Sequence, residues 1–188
     1  AGGLTKAGAG TLNLTGASVY TGPTSVAAGT LHLTGRLASA VTVQTGATLT
    51  GTGTMGGLTV NGTVSPGAAG AADVGTLRVN GPLTMAAGST YAVTVTSTSA
   101  DQIIVSGAAS LNGQISLTTT GPFSQFNQSY TVLTAGSRTG TFTGAANANF
   151  GSAFNPIVEY VGNTVVLRLA PASLVTQQQA LVGPLQAN

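Results

Sequence analysis

A seven-residue phrase that occurs three times constrains the fold more than any other feature of this chain. Each copy has glycine at both ends and apolar residues at its third and fifth positions, so the apolar pair points to one face of a strand. The copies occupy residues 10–16, 29–35 and 75–81. Leu31 follows Leu12 by about one period of roughly 20–25 residues, and Leu77 follows Leu31 by about two such periods. Such a period is typical of a solenoid, in which each repeat buries its apolar face only by stacking on its neighbours.

The first ninety residues are predicted to form short strands between glycine turns, because local alternation is clear and no helical period occurs. The predicted strands are 11–15, 24–26, 30–34, 40–44, 47–50, 58–61, 63–65, 76–80 and 83–85. Each apolar pair is expected to stack on the pair one turn earlier, and burying one such side chain is worth roughly 1.5–3 kcal/mol. Asn-Gly at residues 61–62 and 80–81 is also compatible with type I′ hairpins. The long-range period favours a parallel coil with Asn-Gly at its bends.

The composition changes near residue 90. Tyr20 is the one aromatic residue before this point, whereas all the others follow it, and most of the glycines precede it. Longer strands are predicted at 90–96, 102–105, 114–119, 130–133, 157–160 and 164–169, with a hairpin turn at Gly162-Asn163. The exposed end of a solenoid needs an atypical repeat to cover it. We therefore predict an aromatic-rich cap over residues 91–169, although a second ordinary β subdomain is an alternative.

The low charge content and the C-terminal tail further limit which folds and functions are possible. Only 4% of the residues are charged, against about 25% in a typical domain. The five basic residues are scattered singly, which argues against a nucleic-acid partner. The chain has no cysteine and no apolar run long enough for a membrane helix. Residues 173–185 have the spacing of a short helix that Pro184 ends. We divide the chain into coils (1–90), cap (91–169) and linker (170–188).

Several segments closely resemble the passenger-associated transport repeat of bacterial autotransporters. They begin with Leu-Thr-Lys-Ala-Gly-Ala-Gly-Thr-Leu-Asn-Leu-Thr-Gly-Ala at residues 4–17 and Val-Ala-Ala-Gly-Thr-Leu at residues 26–31. The likeness continues at Val-Ser-Pro-Gly (64–67), Gly-Ser-Thr-Tyr (88–91), Asp-Gln-Ile (101–103) and Tyr-Thr-Val-Leu-Thr-Ala (130–135). The resemblance therefore covers almost the whole chain.

The resemblance implies an all-β fold, namely a right-handed parallel β-helix with a cap at its C-terminal end and a short helical tail. It implies that residues from about 75 to 169 look like the pertactin-like autochaperone segment, which helps a passenger fold at the cell surface. It also implies a Gram-negative cell-surface location, reached through periplasm and outer membrane. The implied partners are upstream passenger coils and the outer-membrane β-barrel of the same protein.

The residues offer little for catalysis, cofactors or metals. Residues 51–56 match G-x-G-x-x-G, but a strand is predicted to follow, whereas a dinucleotide site needs a helix there. His32 could join Asp73 or Asp101 and a serine in a triad, yet it is predicted to face solvent between Leu31 and Leu33. Paired carboxylates would have to come from Asp73, Asp101 and Glu159, in three distant segments. We predict no catalytic, cofactor-binding or metal-binding residues and no enzymatic activity.

Three functions remain open from the sequence. The leading hypothesis is a structural module, a stable β-helical stem that templates passenger folding during secretion. A second is an adhesive or self-associating surface module that pairs through its uncharged Thr and Asn ladders. A third is the non-catalytic stem of a surface protease or esterase whose catalytic domain lies upstream.

Overall fold

The computed structural model describes residues 2–68, 73–123, 126–146, 150 and 153–172, and every regular element in these ranges is a β-strand. These ranges include no helix that could cross a membrane. The predicted helix at 173–185 lies outside them. The all-β class and the parallel β-helix are confirmed.

In chain order, the strands are β1 (Leu4–Lys6), β2 (Thr11–Leu14), β3 (Ala17–Ser18), β4 (Thr24–Val26), β5 (Thr30–Leu33), β6 (Arg36–Leu37), β7 (Ala40–Val43), β8 (Thr48–Gly51), β9 (Thr54–Met55), β10 (Gly57–Val60), β11 (Thr63–Pro66), β12 (Thr76–Val79), β13 (Leu83–Met85), β14 (Thr90–Thr96), β15 (Gln102–Val105), β16 (Ala108–Leu111), β17 (Gln114–Thr120), β18 (Gln128–Thr134), β19 (Ser137–Gly140), β20 (Ala145–Ala146), β21 (Phe154–Val161) and β22 (Thr164–Pro171).

Every third strand joins the same sheet, as a three-sided coil requires. Sheet A has the order β1-β4-β7-β10-β13-β16-β19, and sheet B has the order β2-β5-β8-β11-β14-β17-β20. Sheet C has the order β3-β6-β9-β12-β15-β18-β22-β21. The inward side chains of all three sheets form one continuous apolar core.

The predicted stacking of apolar pairs is confirmed in register. Leu58 and Val60 of β10 lie opposite Val41 and Val43 of β7. All four are buried, because their inward positions repeat in every turn. The core is therefore a set of aliphatic columns that run along the axis of the coil.

The three copies of the repeated phrase do not all lie in one sheet. The first two pair in register as β2 and β5, with Leu12 opposite Leu31. The third copy forms β12, which lies in sheet C between β9 and β15. The spacing from Leu31 to Leu77 is therefore not two turns of one ladder, since the residue that stacks on Leu31 is Leu49 of β8.

The Asn-Gly pairs lie at bends between sheets, as the coil interpretation required. Asn61-Gly62 connects β10 of sheet A to β11 of sheet B, and neither strand pairs with the other. The predicted hairpin at Gly162-Asn163 is confirmed, since β21 and β22 pair antiparallel with Val161 opposite Thr164. Gly162 has a φ of 56° and Asn163 has no positive φ, which corresponds to a type II′ turn.

The sheets run through residue 90 without a break, because β14 pairs with β11 on one side and with β17 on the other. In sheet C the parallel arrangement ends at β18, which pairs parallel with β15 and antiparallel with β22, whereas β19 and β20 continue sheets A and B in parallel. A bulge in β18 places Val132 between the paired residues Thr131 and Leu133. The division of the chain at residue 90 remains a prediction.

Candidate functional site

The first turn of the coil, β1 to β3, leaves one side of each strand unpaired within the described residues; we call it the open turn. Leu12 and Leu14 of β2 are only half-buried, whereas their partners Leu31 and Leu33 are 0% exposed. Val19, directly after β3, is 93% exposed. The open turn therefore presents strand edges and the ends of apolar columns to solvent.

A column of corner glycines shows how successive turns fit together. A Cβ on Gly53 would lie 2.5 Å from the carbonyl oxygen of Gly35, and one on Gly35 would lie 2.1 Å from that of Gly16. A Cβ on Gly16, in the open turn, would meet nothing within 4 Å. The missing Cβ at Gly35 and Gly53 thus leaves room for a carbonyl oxygen of the preceding turn. Nothing in the described chain occupies the corresponding space beside Gly16.

Lys6 ends one of the inward columns at the open turn. It lies opposite Val26 and is itself buried. Its ammonium group donates hydrogen bonds to the carbonyl oxygens of Ala7 (3.0 Å), Gly8 (2.6 Å) and Ala28 (2.9 Å). The side chain therefore uses its stem as core filling and all three of its donors to satisfy a bend.

The opposite end of the coil is closed by the hairpin of β21 and β22. Asn163, at the hairpin tip, donates its side-chain N–H to the carbonyl oxygen of Gly136 at 2.8 Å. Arg138 of β19 lies 4.8 Å from the centre of the Tyr160 ring, and the Tyr160 hydroxyl accepts the Phe142 amide at 2.8 Å. These contacts hold the hairpin over the last parallel turn.

The late aromatic residues pack in this region, as the predicted cap requires. Three pairs have ring centres 5.0–5.9 Å apart: Tyr91 with Phe142, Phe123 with Phe150, and Phe126 with Phe154. Tyr91 is 0% exposed, and its hydroxyl donates to the carbonyl oxygen of the bulge residue Val132 at 2.6 Å. Aromatic packing and one buried hydroxyl therefore tie the parallel turns to the antiparallel hairpin.

The candidate triad residues occupy different environments. His32 is half-buried on β5, and its Nδ1 lies 2.9 Å from the Thr50 hydroxyl. Asp101 is 0% exposed, and its two carboxylate oxygens accept the amides of Gly75 and Thr94, each at 2.7 Å. Asp73 is exposed. Among the described residues, no hydrogen bond joins His32 to either carboxylate.

The other candidates are placed as follows. Glu159 forms an ion pair with Arg168 across the hairpin, with 2.6 Å between Oε1 and Nε. No three His, Cys, Asp or Glu residues within the described ranges come together as a metal site. The G-x-G-x-x-G segment runs from the end of β8 through β9, and the element after it is strand β10.

Asp101 is the buried ionisable group that gives the fold a pH response. Burial raises the pKa of its carboxyl to about 6 and outweighs the two backbone hydrogen bonds, which lower it. An unfolded Asp has a pKa of about 3.9. Between these two values the folded chain binds the additional proton, so the stability from this group grows as pH falls from about 6 to about 4.

We therefore expect the free energy of unfolding to be higher by roughly 2 kcal/mol at pH 4 than at pH 7, measured by urea titration at both values. The Asp101→Asn variant, which lacks the titration, should lose most of this difference. A wild-type chain that is less stable at pH 4 than at pH 7 would contradict the assignment.

The sequence alone did not identify three structural determinants, namely Gly16, Tyr91 and Asp101. Gly16 belongs to the repeated seven-residue phrase. The sequence does not show in which direction the turns stack, so it cannot show that the space beside Gly16 is open. A tyrosine at an inward strand position was the one available signal for Tyr91. Asp101 carried a weaker signal, as one of only three acidic residues in the chain.

Two comparisons with known proteins show what this chain is similar to. Residues 4–33 match the family described as passenger-associated-transport-repeat. An extracellular serine protease of Serratia marcescens is 36% identical over 180 residues, covering 88% of this chain and 17% of the relative. This chain therefore spans only a small part of the length of that curated relative. The match to residues 4–33 includes all of the open turn.

Proposed function

Since this chain is an autotransporter passenger module with a passenger-associated transport repeat, we propose that it is the folding stem of a longer surface passenger. The stem folds into a stable β-helix and offers its open turn to upstream passenger coils of the same protein. It reaches the cell surface through that protein's outer-membrane β-barrel. Any serine protease activity of the kind named for the Serratia relative lies outside this stem, which is not itself an enzyme.

The observation that carries the proposal is the difference between the two ends of the coil. At the C-terminal end, where β19, β20 and β21 are last in their sheets, the hairpin donates and accepts hydrogen bonds at Gly136 and Phe142, whereas no comparable element contacts the three strand edges of the open turn within the described ranges. Pairing two distant strands from a disordered chain requires a costly loop closure. Adding a turn to a preformed edge avoids most of that cost, because the next strand is always close along the chain.

The test is secretion of the longer passenger with parts of this chain removed. Deletion of residues 90–169 should reduce the protease-resistant passenger on the cell surface severalfold, because the closed end is lost. Deletion of residues 30–47 is the matched control, since it removes one turn (β5, β6 and β7) and leaves the hairpin intact. Equal amounts of resistant passenger from the 90–169 deletion and the wild type would overturn the proposal.

A second candidate function, self-association at the surface, is favoured by one feature of sheet A. Its outward central column carries a hydroxyl residue on all seven strands: Thr5, Ser25, Thr42, Thr59, Thr84, Ser110 and Thr139. Hydroxyl groups donate and accept hydrogen bonds, so such a column is complementary to a second copy with the same repeat.

Sedimentation at increasing concentration tests this second function. The double variant Thr59→Arg and Thr84→Arg should abolish association, whereas Thr48→Arg on sheet B should not. A chain that stays monomeric at every concentration would exclude the candidate.

A further inference from the structure

Two arginines that are far apart in the sequence lie close together on the outer face of sheet C. Arg36 of β6 and Arg78 of β12 are register partners of the same residue, Thr54 of β9, one on each side of it. Neighbouring strands are about 4.8 Å apart, so the backbones of the two arginines are about 10 Å apart, with Thr54 between them. We infer that Arg36, Thr54 and Arg78 form a binding site for one phosphate monoester group.

The three side chains leave the sheet in the same direction, because the strands are parallel and these residues are in register. Arg36 and Arg78 are exposed and Thr54 is half-buried. The next residue on each of the three strands points into the core and is buried: Leu37, Met55 and Val79. Both guanidinium groups therefore have free access to the space outside the Thr54 hydroxyl.

The fold uses the other three basic side chains but not these two. Lys6 donates to backbone carbonyl oxygens, Arg138 lies over an aromatic ring, and Arg168 forms an ion pair. Among the described residues, Arg36 and Arg78 have no ion pair, hydrogen bond or ring contact. Two unpaired positive charges at this distance repel each other, whereas an anion between them is attracted by both.

The donor groups match a tetrahedral dianion. Each guanidinium is a planar fork of N–H donors that binds two oxygens of a phosphate at once. The Thr54 hydroxyl can donate to a further oxygen or accept a proton from a protonated one. A phosphate monoester has a charge of about −1.5 to −2 at neutral pH, which balances the two arginines. A carboxylate has half that charge and only two oxygens, so it fits the site less well.

The site fits one anionic group and not a long polyanion. Ala17 lies on the far side of Arg36, and Ile104 lies on the far side of Arg78. Neither side chain can bind an anion, so the positive column is limited to the three named residues. A nucleic acid would need a longer row of basic residues that follows its phosphates. A single phosphate group is therefore the ligand that this part of sheet C favours.

Titration of the intact chain with sodium phosphate tests the site, with sodium chloride at the same ionic strength as the reference. We expect saturable shifts of the backbone amide signals of Arg36, Thr54 and Arg78 that chloride does not produce. Arg36→Gln and Arg78→Gln should each weaken phosphate binding about tenfold, because each removes one charged fork. Both variants should keep the urea midpoint of the natural chain, since the replaced side chains are exposed.

The matched control separates the site from net charge. Arg36→Gln combined with Thr48→Arg restores the lost charge but places it on sheet B. We expect this double variant to bind phosphate as weakly as Arg36→Gln alone. If it binds as tightly as the natural chain, or if phosphate produces no more shift than chloride, the inference is wrong.

A second measurement distinguishes a lipid headgroup from a soluble phosphate ester. Vesicles of phosphatidylcholine with phosphatidic acid present phosphate monoesters, whereas phosphatidylcholine alone presents only diesters. Sedimentation of the chain with the mixed vesicles, lost when both arginines are replaced by glutamine, would identify a lipid as a ligand. Binding of inorganic phosphate without sedimentation would assign the site to soluble phosphate esters. Neither passenger folding nor secretion enters these experiments, so their outcome is independent of the folding-stem proposal.

Discussion

Replacing Gly51 with alanine is expected to remove most of the stability of the chain, with a loss of about 4 kcal/mol or complete unfolding. Gly51 has a φ of 113°, a conformation that residues with a side chain rarely adopt. A Cβ at this position would lie 2.0 Å from the carbonyl oxygen of Leu33 in the turn below. Gly51 also exchanges two backbone hydrogen bonds with Gly67, at 2.7 and 2.9 Å. The backbone at Gly51 therefore cannot move to relieve the clash without breaking either its hydrogen bonds to Gly67 or its pairing with the turn below.

Gly46→Ala is the matched control for this substitution. Gly46 has a φ of 81°, but nothing lies within 4 Å of its Cβ position. Only the backbone strain should remain, so the expected loss is about 1 kcal/mol. Urea unfolding followed by circular dichroism compares the two variants directly. Similar losses in both would show that contact between turns is not what requires glycine at position 51.

The second large effect is expected at Tyr91. Tyr91→Ala should cost about 4 kcal/mol, because it removes a fully buried ring from the core beside Phe142. It also removes the hydroxyl that binds the carbonyl oxygen of Val132. Val132 is the bulge residue of β18, the strand that lies between the parallel strand β15 and the antiparallel strand β22 of the hairpin. The variant should therefore loosen the hairpin more than the early turns.

Tyr91→Phe separates the hydroxyl from the ring. It keeps the packing but leaves the Val132 carbonyl oxygen without this donor, so we expect a loss of about 1–2 kcal/mol. Tyr20→Phe is the control, because its hydroxyl is partly buried and contacts the Thr24 hydroxyl; it should cost less. Amide exchange should rise first in β21 and β22 of Tyr91→Ala. Faster exchange at β2 instead would contradict the role assigned to Tyr91.

Alternation in short segments was enough to predict most of the strands. The prediction of 83–85 coincides with β13, and 90–96 with β14, because glycine or a bend limits each segment. The two-residue strands β3, β6, β9 and β20 were missed, since two residues cannot show alternation. The longer strands β1, β16 and β19 were missed as well. The third phrase was assigned to the wrong ladder because turn length varies. The segment from Leu49 to its partner Val64 is much shorter than the segment from Val64 to its partner Tyr91.

The candidate site was harder to predict, since it depends on which elements the coil brings together. Local patterns carry no information on the direction of the stack, so they cannot show that Gly16 lies at an open edge while Gly35 lies under a carbonyl. The bulge at Val132 and its contact with Tyr91 join residues 41 positions apart. The aromatic-rich composition predicted a cap, but only the backbone pairing identifies β21 and β22 as the elements that form it.

The scarcity of charge has a consequence for the medium in which this protein can work. Within the described ranges a single ion pair, Arg168 with Glu159, lies at the surface of the hairpin. Surface ion pairs of this kind contribute little and are screened by salt. The remaining stability comes from apolar columns and backbone ladders, which ionic strength scarcely affects. The free energy of unfolding should therefore change less with ionic strength than that of a stem stabilised by charge pairs.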